Sequence, residues 1–378
     1  MTFWSVQGAG KCGVMYAKVR YVDFQKYSRV IVISDIHGDK DGFTGVLGKV
    51  KFGKEDALVI VGDILEKGKY ALELLHVVME LYMQGNVYLV AGNNDTIFLE
   101  WFQGQVSVED VLWYVKNRKY SILKDMAGLL KLPYETAEDI RVLKVAIKRK
   151  FAKELAFLEG VPHILDCEFA TFVHAGLKPG SLEEQDPEYC LTATEFAVQP
   201  HVFDKKVIVG HWPSSNYSAG IIEANIYRNR KTNVISIDGG NSMKRWQQIN
   251  YLIFDNMGRE LECGYYDNLP KIQALEDQEE SENFITLLFP HTEVVIREVR
   301  GKESVCYVPW LDQEIVIDSS RIYEYKRKTY CSDMTTYCLP VKAGEILSFC
   351  GMTPEGLQVK MNGVIGNYHG PYAEICEV

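Results

Sequence analysis

Five short motifs in this chain place metal-ligating types of side chain directly after apolar runs. Two carboxylates, three imidazoles and one amide oxygen suit a pair of divalent cations, with manganese, iron and zinc all compatible. A centre with two ions about 3.5–4 Å apart can clamp a phosphoryl group and generate hydroxide from bound water. The residues are Asp35 and His37 in "SDIHG", Asp63 in "GDILEKG", Asn93 in "GNND", His174 in "VHAG" and His211 in "GHWP".

Each motif is weak when it is taken alone. An isolated Asp-x-His turn is more often a hydrogen-bonded loop than a pair of ligands, and Gly-Asp after a strand is mostly turn chemistry. The shared position at strand ends favours one joint metal site, in which Asp63 could bridge both ions. The remaining histidines lack this context and are predicted to be structural or exposed: His76, His163, His201, His291 and His369.

Alternating strands and helices must position these side chains. The segments 29–39, 56–68 and 87–96 each read as a buried strand followed by a polar loop, and the sequence between them has helical spacing. This β-α-β-α-β order predicts a mainly parallel sheet with helices on its faces. Loops at the carboxyl ends of parallel strands gather along one sheet edge, where ligands bind.

The rest of the chain predicts an inserted helical block, further strands and a second domain. Residues 97–160 are helical in pattern, and 247–266 reads as a hairpin that completes the sheet. We therefore expect an α/β or α+β domain over residues 1–267. An acidic segment at 268–284 is the predicted linker, and the short strands and turns of 285–378 predict a small all-β domain.

Composition excludes several classes of function. The 378 residues carry a formal net charge of −10, which argues against nucleic-acid and acidic-membrane binding. A small anionic substrate stays compatible, because bound metal can invert the local field. The nine cysteines form no CxxC pair, which predicts reduced thiols and a cytoplasmic location. No signal peptide or membrane span is predicted.

The ordered series of motifs resembles the calcineurin-like metallophosphoesterase superfamily. The resemblance spans roughly residues 29–262 and is greatest to the phosphoprotein phosphatase branch, which includes bacterial serine/threonine phosphatases and symmetrical diadenosine tetraphosphate hydrolases. It implies a four-layer fold, a central β-sandwich of two mixed sheets flanked by helices. It also implies that Asp35, His37 and Asp63 hold a first metal and that Asp63 serves the second. The other ligands of the second metal would be Asn93, His174 and His211.

Several positions depart from the pattern of that branch. Its "GDxVDRG" motif is "GDILEKG" here, so Glu66 replaces an orienting acid and Lys67 replaces a phosphate-gripping arginine. Lysine keeps the charge but loses the bidentate fork. The branch commonly has a second arginine between "HAG" and "GH", whereas residues 175–206 contain none. Pro213 in "GHWP" stands where diesterase relatives often supply another histidine.

The motif "GNND" carries the most consequential departure. It keeps Asp95, but it has Asn94 where the branch has a histidine that protonates the leaving group. An amide cannot act as a general acid near neutral pH, and such help is typically worth about 10²–10⁴-fold. Asn94 could still bind substrate through a hydrogen bond. Leaving groups that need no proton, as in phosphoanhydrides and aryl phosphates, are then favoured over phosphoserine.

Three interpretations follow. The first is a dimetal-dependent phosphohydrolase that uses metal-bound hydroxide on a phosphoprotein, nucleotide or other phosphomonoester. The second is a metal-retaining protein of weak activity that binds or regulates through a phosphorylated ligand. The third is an ordinary protein phosphatase in which Asn94 is an isolated change.

The C-terminal stretch 338–372 weakly resembles bacterial SH3-like modules. The resemblance rests on the pattern V-x-x-G-E followed by V-x-x-N-G-x-x-G. Tyr330, Tyr337 and Tyr368 could line an aromatic groove for a peptide or glycan, or they could fill the core of a small barrel.

Overall fold

The computed structural model describes residues 16–375, and two units can be distinguished within this range. The first contains the described chain up to Pro213 together with Asn225–Asn268, and the second contains Ser214–Ala224 and the chain from Leu269 onward. No helix among the described residues is long and apolar enough to cross a bilayer. The prediction about a signal peptide falls outside this range, as do Cys12 and Cys376. The cysteines inside the range are unpaired.

The first sheet of the first unit has three parallel strands and an antiparallel hairpin. Its strand order is β12-β11-β2-β3-β4, with β2, β3 and β4 mutually parallel. The hairpin predicted over 247–266 is confirmed as β11 and β12. The strands, numbered in chain order, are β2 Arg29–Ile33, β3 Asp56–Val61, β4 Val87–Val90, β11 Ile249–Asp255 and β12 Glu260–Tyr266.

The second sheet of this unit is also mixed. Its order is β1-β5-β6-β7-β10-β9, and β6, β7 and β10 run parallel to one another. The single, mainly parallel sheet expected from the strand pattern is thus two mixed sheets. Its strands are β1 Val19–Tyr21, β5 Ile164–Asp166, β6 Ala170–Val173, β7 Lys206–Val209, β9 Tyr227–Asn229 and β10 Val234–Ser236.

Helices cover one face of the first sheet, and the predicted helical insertion is present as α3 to α7. It begins at Asn93, four residues before the predicted start, because Asp95 accepts the backbone N–H of Gly92 and caps the first turn. The helices are α1 Lys40–Lys49, α2 Ala71–Met83, α3 Asn93–Gln103, α4 Val108–Asn117, α5 Ile122–Leu130, α6 Ala137–Lys150, α7 Ala152–Glu159 and α8 Pro187–Thr192.

Strand β2 shows how the layers are built. Its side chains alternate with a period of two, so Ile31 and Ile33 pack in the core shared with the helices. Val30 and Val32 point the other way and pack with Phe172 of the second sheet. Two apolar cores therefore lie on the two faces of one sheet, and its loops are held from both sides.

The second unit is all-β, as predicted. Residues 268–284 do not act as a linker, because they contribute β13 to its main sheet, where Ile272 and Ala274 enter the core. Its strands are β8 Ile222–Glu223, β13 Lys271–Ala274, β14 Thr286–Leu287, β15 Val295–Arg300, β16 Glu303–Val308, β17 Gln313–Asp318, β18 Ile322–Tyr325, β19 Lys328–Cys331, β20 Met334–Thr335, β21 Ile346–Thr353, β22 Gly356–Met361, β23 Val364–Tyr368 and β24 Tyr372–Ile375.

Two of the three tyrosines proposed for an aromatic groove lie in the core of this unit instead. Tyr337 and Tyr368 are 3% and 1% exposed, and their hydroxyls donate to Glu280 and to the backbone of Glu276. Tyr330 stacks on Tyr323 with ring centroids 5.9 Å apart. These three rings therefore do not form one groove.

Candidate metal centre

Every predicted ligand follows the carboxyl end of a parallel strand. In the first sheet, β2, β3 and β4 lead into the loops that carry Asp35 with His37, Asp63, and Asn93. In the second sheet, β6 and β7 lead into His174 and His211. The two sheets thus bring their polar loops to one shared edge, where the side chains meet.

The charged ligand candidates form two clusters that share one carboxylate. Asp35, His37 and Asp63 each offer a ligand atom, and these atoms lie within 4.8 Å of one another. Asp63, His174 and His211 form a second set within the same limit. Either set could hold a metal ion, and Asp63 belongs to both.

The amide oxygen of Asn93 joins the second cluster. It lies 3.1 Å from His174 Nε2 and 3.0 Å from His211 Nδ1. The two imidazole rings are 5.0 Å apart between centroids, nearly edge to face. All six predicted ligands are therefore brought together.

Backbone carbonyls orient two of the imidazoles. His174 Nδ1 lies 3.0 Å from the Val61 carbonyl, and His37 Nδ1 lies 3.3 Å from the Leu65 carbonyl. A carbonyl only accepts, so each Nδ1 carries the proton and each Nε2 is left as the ligand atom. Such contacts fix the orientation and basicity of metal-binding histidines.

Four candidate ligands adopt left-handed backbone conformations. The φ angles are 50° at Asp35, 53° at His37, 54° at Asp63 and 66° at His211. Non-glycine residues in this region cost on the order of 1–3 kcal/mol each and cluster at functional sites. The surrounding layers hold these loops in place against that cost.

Two glycines allow the loops to approach the carboxylates. A Cβ atom on Gly92 would lie 2.1 Å from the backbone nitrogen of Asp63, and one on Gly210 would lie 2.2 Å from Asp35 Oδ2. Any larger residue would displace a candidate ligand. The glycines of "GNND" and "GHWP" are therefore required for close packing.

Buried charge dominates the electrostatics. Burial raises the pKa of Asp35, and the neighbouring Asp238 carboxylate raises it further. Burial also disfavours the charged forms of Asp63 and His174. The attraction between the Asp63 carboxylate and the His174 imidazolium outweighs burial, so the pKa of Asp63 lies well below its usual range and the pKa of His174 is raised to about 10. Burial lowers the pKa of His37 to about 3. The Asp63 carboxylate therefore lies beside a protonated His174, whereas His37 is a neutral imidazole.

Asn94 and Asp95 occupy the first turn of α3. Asn94 donates its backbone N–H to Asp63 Oδ1 at 2.8 Å and its amide Nδ2–H to Asp63 Oδ2 at 2.6 Å. Asp95 accepts the backbone N–H groups of Ile64 and Leu65, both at 3.0 Å. Burial raises the pKa of Asp95 to about 7. Asp95 therefore ties the Asp63 loop to α3.

Glu66 and Lys67 point in different directions. Glu66 is buried and accepts hydrogen bonds from the Tyr114 hydroxyl at 2.9 Å and from the Ser121 hydroxyl and Ile122 N–H, both at 3.1 Å. It anchors the helical insertion and does not face the ligand clusters. The ammonium of Lys67 lies 3.0 Å from His37 Nε2, beside the first cluster.

The sequence did not single out Asp238. It follows β10, and "SIDGG" has the same strand-then-loop form as the other motifs. Its Oδ1 accepts the Gly240 N–H at 2.7 Å, and its buried Oδ2 has no hydrogen-bond partner among residues 16–375. Burial raises the pKa of Asp238 to about 6. The position after a sixth strand was the signal that could have identified it.

The donor set fits divalent cations. Buried carboxylates without partners are costly, and a bound cation offsets that cost. A positive charge would stabilise the buried Asp238 Oδ2, which has no hydrogen-bond partner among the described residues. Carboxylate, imidazole and amide donors together suit manganese, iron or zinc.

Comparison with known proteins gives one family. Residues 28–253 match the family described as calcineurin-like phosphoesterase. No curated protein matches the chain at a significant level.

Similar solved structures include three phosphatase-type proteins. A candidate diadenosine tetraphosphatase is 20% identical with a TM-score of 0.44, over 67% of this chain and 100% of that one. A metallophosphoesterase from Sphaerobacter thermophilus is 16% identical with a TM-score of 0.38, over 64% and 89%. A serine/threonine phosphatase from Saccharomyces cerevisiae is 12% identical with a TM-score of 0.41, over 67% and 84%.

Proposed function

Because this chain belongs to the calcineurin-like phosphoesterase family and is a hydrolase by that membership, we propose that it uses two divalent cations to cleave phosphoester or phosphoanhydride bonds. The observation that carries the proposal is the pair of ligand clusters that share Asp63. Asp35, His37 and Asp63 would hold one ion, and Asp63, Asn93, His174 and His211 would hold the other. When bound, such ions stabilise charge on a phosphoryl group and lower the pKa of water.

The chain's own residues position the substrate around these ions. Lys67 supplies a positive charge beside the first cluster, suited to phosphoryl oxygens. The amide of Asn94 can donate to the same group, but it offers no proton to a leaving group. Asp95 and Glu66 act as positioning residues, because their carboxylates bind loops and helices of the protein.

The absence of an acid at residue 94 sets the preferred substrates. His37, His174 and His211 all belong to the ligand clusters, and none of them is left to protonate a departing alkoxide. Phosphoanhydrides and aryl phosphates leave without that help. Manganese, iron and zinc remain equal candidates for the cations, and phosphorylated small molecules are favoured over phosphoserine proteins.

A matrix of metals against substrates tests the proposal. Purified full-length protein would be loaded with Mn²⁺, Fe²⁺ or Zn²⁺ and assayed on p-nitrophenyl phosphate, its diester, a nucleoside triphosphate and a phosphoserine peptide. We expect metal-dependent turnover of the first three, lost in Asp63→Asn and kept in Asp41→Asn, which changes an exposed carboxylate. No turnover of any substrate with any metal would overturn the proposal.

A phospholigand-binding role of weak activity is the second candidate. The hydrogen bond from Asn94 Nδ2 to Asp63 Oδ2 favours this function, because it occupies one of the two amide N–H donors that could otherwise bind the substrate. Two bound metals, a measurable affinity for inorganic phosphate and no turnover would identify that function. Turnover in the matrix above would exclude it.

A further inference from the structure

Helix α6 carries apolar side chains on two opposite faces. Ile140, Leu143 and Ile147 are fully buried and pack in the core shared with the first sheet. Val142 and Val145 lie on the other side of the helix and are 48% and 70% exposed. A surface helix usually turns polar residues toward the solvent, so this second apolar face requires its own explanation.

The exposed valines line an open groove of about 810 Å³. Leu130 at the end of α5 also lines it, and the neighbouring Leu129 is 68% exposed. Single exposed apolar residues are ordinary, but apolar residues gathered at one place mark a surface for association. The groove on the helical insertion is therefore a candidate interface.

Along this groove, α6 presents one stripe of four residues, which we call the α6 stripe. It consists of Glu138, Val142, Val145 and Arg149. Their spacing of four, three and four positions places them on one side of an α-helix, as at the interface of a coiled coil. The valines occupy the middle of the stripe, with an acid at its N-terminal end and a base at its C-terminal end.

The charges at the two ends of the stripe are accessible. An acid in the first turn and a base in the last turn also stabilise the helix dipole, which accounts for their signs but not for the exposed valines between them. Arg149 forms no ion pair with any residue from 16 to 375, and Glu138 pairs with Arg141 at 3.2 Å on the exposed surface. Both end charges can therefore meet a partner.

The α6 stripe is complementary to itself when two copies run antiparallel. Reversal about the midpoint between positions 143 and 144 places Val142 opposite Val145 of the second copy. The same reversal places Glu138 opposite Arg149 of the second copy. A two-fold axis repeats each contact, so the helix pair would bury both valines of each copy at its centre and form an ion pair at each end.

We propose that this protein forms a two-fold dimer in which the α6 stripes of two copies pack antiparallel. Apolar side chains at the centre of an interface exclude water, and charges at its rim fix the orientation. Parallel packing would set Glu138 against Glu138 and Arg149 against Arg149, so the charges select the antiparallel arrangement. The stripe contains no residue of the ligand clusters, and the dimer does not depend on the proposed function.

Sedimentation equilibrium of the full-length protein tests the dimer. In the variant with both Val142→Gln and Val145→Gln, the dimer dissociation constant should rise about 10-fold or more, because the apolar centre of the interface is lost. Glutamine is a better helix former than valine, so a weakened α6 would not explain that rise. Met83→Gln replaces another exposed apolar residue, 84% exposed at the end of α2, and should leave the dissociation constant unchanged.

Charge reversal tests the antiparallel arrangement. Glu138→Arg and Arg149→Glu should each weaken self-association, roughly 10-fold, because like charges then face each other at both ends. An equimolar mixture of these two variants should associate about as tightly as the parent, since each end again pairs an acid with a base. Lys54→Glu and Glu80→Arg make the same charge changes at exposed positions outside the stripe, and both should behave like the parent, alone and mixed.

The outcomes decide between this dimer and other uses of the groove. Weaker association in the valine and charge variants, with recovery in the mixture, supports the dimer. A parent that stays monomeric at every concentration would overturn it and leave the groove to an acidic segment of another protein, which Arg141 and Lys150 in its lining would suit. A dimer unaffected by these variants would place the interface elsewhere and overturn the proposal. Weakening without recovery in the mixture would overturn the antiparallel pairing. None of these measurements involves turnover, so each proposal can fail without the other.

Discussion

Asn94 holds Asp63 through both of its nitrogens: the backbone N–H and the side-chain Nδ2–H each donate to a different oxygen of that carboxylate. Asp63 is also the carboxylate that both ligand clusters share. The residue in the position of the expected acid therefore interacts with the central candidate ligand. In the structure Asn94 orients the Asp63 carboxylate through these two hydrogen bonds, and an amide does not act as a general acid near neutral pH.

Replacing Asn94 by histidine should widen the substrate range. An imidazole there can protonate an alkoxide, so we expect kcat for a phosphoserine peptide to rise, by up to about 10²–10⁴-fold. Hydrolysis of p-nitrophenyl phosphate should change much less, because its leaving group needs no proton. Steady-state kinetics in Mn²⁺-loaded protein measures the ratio of kcat for the phosphoserine peptide to kcat for p-nitrophenyl phosphate. Asn94→Ala is the control for loss of the amide. An equal change on both substrates would contradict the assignment.

Asp63→Asn should disturb both ions at once. Neutralising the shared carboxylate removes charge from the two clusters, so elemental analysis after desalting should find far less bound metal than the two ions per chain expected for the parent. Metal should raise the melting temperature of the parent, because a ligand bound only to the native state stabilises it, and this rise should shrink in the variant. Asp41→Asn is the matched control. Loss of one ion only would show that Asp63 serves a single cluster.

Glu66→Gln should loosen the helical insertion. One oxygen becomes an NH₂ group that faces the Tyr114 hydroxyl or the Ser121 and Ile122 donors, and a buried donor without an acceptor costs about 1–3 kcal/mol. Urea unfolding should show this loss in the free energy of unfolding, and amide hydrogen exchange should rise between α4 and α5. Glu80→Gln, on the exposed side of α2, should have little effect. Unchanged exchange in Glu66→Gln would show that the carboxylate does not anchor the insertion.

Local patterns predicted the strand ends well. The β-branched runs before Asp35, Asp63 and His174 specify buried strands, and each strand's polar loop follows directly. Parallel pairing then brings such loops to one edge, so the meeting of these side chains could be anticipated. The order of the motifs carried more information than any one of them.

Contacts distant in sequence could not be predicted in this way. Glu66 accepts hydrogen bonds from Tyr114 and Ser121, about fifty positions away in the sequence. Nothing in the sequence near Glu66 indicates that its carboxylate points away from the ligand clusters. The strand β13 was missed because its neighbours are acidic, although Ile272 and Ala274 alternate inward. Both depend on which surfaces the tertiary fold brings together.

His163 should make stability depend on pH. Its Nδ1 accepts the backbone N–H of Lys18 at 2.9 Å, and burial lowers its pKa from 6.5 to about 4. Below pH 6.5, His163 therefore becomes protonated in the unfolded chain, whereas in the native state it stays neutral down to about pH 4. This contribution to stability is present above pH 6.5 and is lost as pH falls through that window.

The variant His163→Gln isolates this effect. Glutamine can still accept from Lys18 through its side-chain oxygen, but it does not titrate. Melting temperatures measured between pH 7.5 and pH 4.5 should fall more steeply in the parent than in the variant, so the difference between them should narrow or reverse as the pH is lowered. Other titrating groups, including those of the ligand clusters, are common to both proteins and cancel in that difference. Parallel curves would show that His163 titrates normally in the native state and that its buried contact with Lys18 does not hold it neutral.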